Sequence, residues 1–381
     1  MNLMKRLISF AIASVLLLIC LIGNASAVEF TAESDAKSLI LMDAATGTVL
    51  YEFNADEKLP PASVTKIMTI LLVVEAIDSG KIQKTDMVTV SAHASSMGGS
   101  QVYLKEGETM SVDDMLKAVV VASANDAAVA LAEYVCGSET AFVSRMNERA
   151  AELGMTNTVF MNTNGLDDTV EGHLTTARDI ALMSRELLKH EMIFDYTTIW
   201  MDTIRDGSFG LTNTNRLIRF YSGANGLKTG STSKAKFCIS ATAKRDNLQL
   251  IAVVMAASTR DTRNQTAAAL LDYGFANFAL KEFEAGTLDD LYVKGGVRDS
   301  CSVKYDAFRI IMEKGKENSV TQNINLPESV SAPVAEGDVL GSITYTCDGV
   351  EIGRTDLIAG ESVEKIGFFS LFYRMLCEAI F

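Results

Sequence analysis

A serine and a lysine three residues apart, Ser63 and Lys66, open a long apolar run that reads Ile67-Met-Thr-Ile-Leu-Leu-Val-Val74. On a helix that spacing sets both side chains on one face, about one turn from each other. A serine hydroxyl is a weak nucleophile at neutral pH and needs a base. The Gly-x-Ser-x-Gly elbow is absent, and none of the three histidines (His93, His173, His190) sits where a partnership can be argued. A lysine can serve instead when burial and neighbouring positive charge lower its pKa and leave a neutral amine. The start of a helix adds free N–H groups and the positive end of a dipole, which suit an oxyanion. Ser-x-x-Lys alone carries little weight, and neither does Ser123-Ala124-Asn125. Lys228-Thr229-Gly230 is rarer, on the order of one chance match in ten chains of this length. The three in this order, each on an element able to hold it, form a strong signal.

The elements that must position these groups follow from the hydrophobic pattern. Pro60 and Pro61 set the chain before a buried helix that should stop at Asp78-Ser79-Gly80. Ahead of it, Leu39-Ile-Leu-Met-Asp43 and Thr48-Val-Leu-Tyr-Glu-Phe53 around Gly47 read as a hairpin. Ser111 with an acid at Asp114 is a capping-box variant opening a second apolar helix, and an alanine-rich helix follows it to Tyr134. Ser123 and Asn125 fall between these two helices, where polar side chains must find partners or face a cavity. Residues 138–190 give two more helices around a long loop, 162–173, in which His173 reads as structural. Asn213-Thr214-Asn215-Arg216 reads as turn chemistry first and a binding loop second. From Gly223 the period changes to strands, and a hairpin carries Lys228-Thr229-Gly230 and ends in Ser258-Thr259-Arg260-Asp261-Thr262-Arg263. A helix is expected from Gln265 to Phe278. Helices between an early and a late hairpin make an α/β (α+β) fold, a sheet with helices packed on its faces.

Around this core the composition sets bounds. The chain has 381 residues, 48% of them hydrophobic, and a formal charge of −14, which argues against nucleic acid as a partner. Widely spaced histidines argue against a histidine-built metal site, and no cofactor-binding motif is evident. Residues 1–27 read as an export signal: Lys5 and Arg6, an apolar stretch, then Ala25-Ser26-Ala27 as cleavage site. With Lys5 and Arg6 gone and no acid lost, the charge becomes −16. Five cysteines then remain, an odd number, so this is no disulfide framework, although a Cys301–Cys347 bridge stays open. Residues 28–280 read as the catalytic domain and 281–364 as a small all-β domain acting as a spacer. Residues 365–381 read as an amphipathic helix in which Ser370, Arg374 and Glu378 form a narrow polar stripe, suited to a membrane interface.

Ser63-Val64-Thr65-Lys66, Ser123-Ala124-Asn125 and Lys228-Thr229-Gly230 resemble the three active-site motifs of penicillin-recognising serine enzymes. Leu59-Pro60-Pro61-Ala62, Asn125-Asp126-Ala127, Gly226-Leu227 and Leu271-Asp-Tyr-Gly-Phe275 narrow the resemblance to low-molecular-mass penicillin-binding proteins, the serine D-alanyl-D-alanine carboxypeptidases. The resemblance implies a β-lactamase/transpeptidase-like antiparallel sheet flanked by helices. It implies release of the terminal D-alanine from peptidoglycan stem peptides through an acyl-enzyme, and inhibition by β-lactams. It further implies Ser63 as nucleophile, Lys66 as base and Ser123 as proton relay, with Asn125, Lys228, Thr229, Gly230 and Ser231 holding substrate. The N–H groups of Ser63 and Ser231 would form the oxyanion hole, and Arg263 falls where these enzymes place a carboxylate-binding arginine. The place of action would be the outer face of the cytoplasmic membrane. Three positions depart from the pattern: Ala124 where glycine is also common, Ser231 where some relatives carry histidine, and Asn225 where aspartate is frequent. A transpeptidase or endopeptidase, a β-lactamase and a non-enzymatic scaffold remain the rival readings.

Overall fold

The computed structural model describes residues 30–31, 34–167 and 170–380, so the export-signal reading of 1–27 lies outside the described residues. Five antiparallel strands form the main sheet, in the order Val49–Phe53, Ser38–Asp43, Leu248–Ala257, Lys236–Arg245, Ala224–Thr232. The first hairpin and the one formed by Lys236–Arg245 and Leu248–Ala257 thus meet side by side, with Ser38 opposite Met255 and Asp43 opposite Leu250. Leu248–Ala257 is buried over nearly its whole length. A strand so continuously apolar must be covered on both faces. The helices Arg260–Asn277 and Ala177–Leu187 both pack on it and supply that cover.

The helix Lys66–Asp78 runs through the largest core and is buried from Lys66 to Val74, as its all-round apolar sequence requires. Ser63 does not lie in this helix. It sits in a 3-10 turn, Ala62–Thr65, closed by the Lys66 N–H bonding back to the Ser63 carbonyl. The reason is local: Ala62 adopts φ +49°, a left-handed conformation that cannot continue an α-helix. Ser111 caps Val112–Val121 by accepting the Asp114 N–H at 3.1 Å, as its spacing predicts. The late helix departs from expectation. It begins at Arg260 rather than Gln265, because the Thr259 hydroxyl accepts the Thr262 N–H at 3.0 Å and caps it there. Arg263 therefore lies in a helix's first turn, not on the hairpin's tail.

The strand Phe278–Phe283 follows that helix without a linker and pairs with Phe308–Glu313. A six-stranded sheet completes the C-terminal all-β domain, whose core includes Leu291, Val303, Ile343, Tyr345 and Leu357. Cys301 and Cys347 form no bridge: all five described cysteines are free. The Cys301 thiol faces the Glu361 carbonyl, while Cys347 faces the Ser319 hydroxyl. A helix, Phe368–Ile380, follows the β domain. Among the described residues no helix is long and apolar enough to cross a membrane.

Candidate active site

Three elements converge on a cleft of about 170 Å³ lined by Ser63, Ser100, Ser123, Thr214, Thr229, Gly230, Ser231, Arg260 and Arg263. The turn at Ser63 forms one wall, the junction between helices at Ser123 a second, and the edge strand Ala224–Thr232 a third. Gly230 permits their close approach. A Cβ there would lie 2.8 Å from Pro61 O and 2.9 Å from the Ser63 N, distances that only glycine accommodates. The backbone is unusual at both polar walls, since Ser123 takes φ +62° and Ala62, just before Ser63, takes φ +49°. Such conformations persist only where surrounding structure holds them, and they cluster at active sites.

Lys66 is completely buried, and its Nζ has three neighbours: Ser63 Oγ at 2.9 Å, Asn125 Oδ1 at 2.6 Å and Asn164 O at 2.8 Å. Asn125 donates its Nδ2 to Gly98 O at 2.7 Å, which fixes Oδ1 toward the lysine. Two of the three partners are therefore carbonyl oxygens that can only accept. A neutral amine has two N–H bonds for them and one lone pair for the third partner, a hydroxyl that can donate. Burial, and then the positive charge of Lys228, hold the Lys66 amine well below its ordinary range. No carboxylate among the described residues bonds to either Ser63 or Lys66. Lys228, also buried, donates to Ser123 Oγ at 2.8 Å and to Thr229 O at 2.9 Å. Burial and then the nearby Arg263 guanidinium lower it to about 7.

Supporting groups hold this arrangement. The buried Asp126 carboxylate accepts the N–H groups of Val102, Leu104 and Ala127, tying the loop that carries Ser100 to the helix that carries Asn125. His173 accepts the Met161 N–H at its Nδ1, so Nε2 carries the proton and donates to Thr65 Oγ1 at 2.8 Å. It braces the turn between Ser63 and Lys66 from behind, in agreement with its structural reading. The loop 161–167 also packs here: a Cβ on Gly165 would overlap Ala62 O.

Residues 24–259 match a family model described as D-alanyl-D-alanine carboxypeptidase, and 281–365 match one described as penicillin-binding protein 5, C-terminal domain. The chain belongs to the D-alanyl-D-alanine carboxypeptidase family. It is 43% identical to D-alanyl-D-alanine carboxypeptidase DacF of Bacillus subtilis, over 90% of this chain and 89% of that protein. Identity to DacC of Escherichia coli is 36%, over 91% and 89%. The crystal structure of penicillin binding protein 5 from Haemophilus influenzae superposes with a TM-score of 0.78 at 32% identity, covering 88% of this chain and 99% of that one.

The structure of this family member brings together every site residue expected from the sequence: Ser63, Lys66, Ser123, Asn125, Lys228, Thr229, Gly230, Ser231 and Arg263. Four more belong to the site, among them Ser100, which lines the cleft. Thr229 Oγ1 donates to Thr214 Oγ1 at 2.8 Å, so the Asn213–Arg216 turn is also part of the cleft. The signal for it was the Asn-x-Asn pair: Asn215 Nδ2 anchors the turn to Gly226 O at 2.8 Å, on the strand that carries Lys228. Arg260 joins the cleft because the helix starts at that residue. Asn164 bonds Lys66 through its backbone carbonyl, which no residue type announces.

Proposed function

We propose that this chain removes the terminal D-alanine from peptidoglycan stem peptides ending in D-Ala–D-Ala. Ser63 attacks the carbonyl between the two D-alanines, and Lys66, as the neutral amine, takes the hydroxyl proton. That proton returns to the leaving amine by way of Ser123, which Lys228 holds at 2.8 Å. Asn125 bonds the peptide backbone, while Thr229, assisted by Arg263, receives the terminal carboxylate. The N–H groups of Ser63 and Ser231 stabilise the oxyanion, and water then hydrolyses the acyl-enzyme. The observation that carries this reading is the bonding of Lys66: two pure acceptors and one serine hydroxyl around a buried amine.

No carboxylate touches Ser63 or Lys66 among the described residues, so a β-lactam that acylates Ser63 should stay attached. A long-lived benzylpenicillin adduct on Ser63 by mass spectrometry, with D-alanine released from a pentapeptide, is the expected result. Fast penicillin turnover without an adduct points to a β-lactamase; no reaction points to a scaffold.

Residues 28–280 carry the catalysis after removal of 1–27, the β domain 281–364 acts as a spacer, and 365–381 rests on the outer face of the cytoplasmic membrane. Phe368, Phe369, Phe372 and Tyr373 are all more than half exposed on the final helix. Its 13 residues reach roughly 20 Å, short of a bilayer core but suited to lying in its interface. Deleting 366–381 should release active protein from membranes; retention of that variant on the membrane rules out the tail as anchor.

A further inference from the structure

Positive charge gathers at the carboxylate end of the cleft in excess of what one carboxylate needs. Arg263 is buried there, with Nε and Nη2 on Asn264 Oδ1 and Nη1 3.5 Å from Cys238 O. Arg260 lies three residues earlier on the same helix and lines the cleft with Thr229, Ser231 and Arg263. Residues at that spacing share a helix face. Arg260 is exposed, and its guanidinium has neither a hydrogen bond nor an ion pair among the described residues. On the turn beside Thr214, the Arg216 carbonyl accepts the Arg219 and Phe220 N–H groups, but the Arg216 guanidinium is likewise exposed and makes no hydrogen bond or ion pair with the described residues. Both bear on Arg263, and Asp261 offsets part of their charge. In a chain of formal charge −14 this is a local reversal of sign.

The terminal carboxylate of the proposed substrate is already met by Thr229 and Arg263. A D-alanine methyl group gives the Arg260 guanidinium nothing to bond. The neighbouring Ser231 is small and exposed, which leaves room at the cleft mouth for a longer side chain.

We propose that Arg260 is a specificity-determining residue: it receives a second carboxylate, on the side chain of an acidic terminal D-residue, and disfavours a basic one. This rests on the reading of the site given above. The chemistry is unchanged: the same amide bond breaks, its nitrogen gains the proton, and the released amino acid carries two carboxylates instead of one.

The test uses the full chain and three acyl-D-Ala peptides ending in D-alanine, D-glutamate or D-lysine. Wild type should show a kcat/KM about threefold to fivefold higher for the D-glutamate than for the D-lysine peptide, the range of an exposed ion pair. Arg260→Gln should bring that ratio near one, and Arg260→Lys should restore most of it. Raising the ionic strength should narrow the ratio in wild type but not in Arg260→Gln. An unchanged ratio in Arg260→Gln overturns the proposal. An equal loss on all three peptides also overturns it, since Arg260 would then serve only the shared carboxylate. Benzylpenicillin labelling of Ser63 and D-alanine release separate the two levels. If both are intact and the ratio does not respond, this inference falls alone; if both fail in wild type, the reading of the site falls and takes this inference with it.

Discussion

The body that carries the candidate site and the C-terminal β domain differ most in what they bury besides hydrocarbon. Among the described residues, buried polar and charged side chains include Lys66, Asn125, Asp126, Lys228 and Arg263 in the body; beyond Phe278 there is only Ser342. Burying an amine or a guanidinium is costly unless its bonds are supplied, so a fold retains such groups where they have a task. In the body each has its partners: carbonyls around Lys66, a hydroxyl and a carbonyl at Lys228, an amide oxygen at Arg263. The β domain keeps its polar groups in strand ladders and fills its centre with aromatic rings, Tyr345 stacked 4.1 Å from Phe308. Polar burial therefore separates the part of the chain that carries the candidate site from the part that does not.

Lys66→Ala attacks the comparison where it is strongest. Acylation by benzylpenicillin should fall by about 10²- to 10⁴-fold, the usual worth of a general base. The fold should survive, because losing a desolvated amine offsets part of the cost of leaving Asn125 Oδ1 and Asn164 O without a donor. Mass spectrometry for the adduct and a thermal melt for the fold separate the two effects, and labelling at the wild-type rate removes lysine from the base role. Tyr345→Ala is the opposite experiment. Truncating this fully buried ring should destabilise the β domain by roughly 3–5 kcal/mol. Ser63 labelling should persist while a new low-temperature transition appears. Loss of labelling in step with that transition would show the β domain to be part of the active machinery rather than a support.

The same contrast explains what the sequence revealed. Ser63, Lys66, Ser123, Asn125 and the Lys228–Gly230 strand were legible because the role proposed for them depends on side-chain type, and type is what a sequence records. Asn164 was not, because its backbone carbonyl would serve equally well from another residue. Periodicity placed the helices and the two hairpins, yet it misplaced two starts by a few residues. At Ser63 a single left-handed residue, Ala62, makes a 3-10 turn where the apolar run suggested helix. At Arg260 the capping hydroxyl of Thr259 sits in a polar string that looked like a hairpin's end, and that error hid Arg260 from the site. The open question at Cys301 and Cys347 could be closed only in three dimensions, by which way each thiol points.

His173 offers the finest test of whether buried polarity in the body is structural support for the site. Its pKa is lowered from 6.5 to about 4, chiefly because burial disfavours the charged ring, with Asp167 opposing. The folded state thus binds fewer protons than the unfolded one between those values. Stability from this group is fully present above about pH 6.5 and is lost as the pH falls toward 4. Between neutral pH and about pH 5.5, still above the chain's pI of about 4.8, the loss should be on the order of 1 kcal/mol. His173→Gln keeps an acceptor for the Met161 N–H and a donor for Thr65 but cannot titrate. Urea unfolding at the two pH values should show that increment in wild type and not in the variant, with penicillin acylation near the wild-type rate at neutral pH. If the variant loses acylation while keeping its stability, the ring does more than brace the turn between Ser63 and Lys66, and the division between chemistry and support has to be redrawn through Thr65.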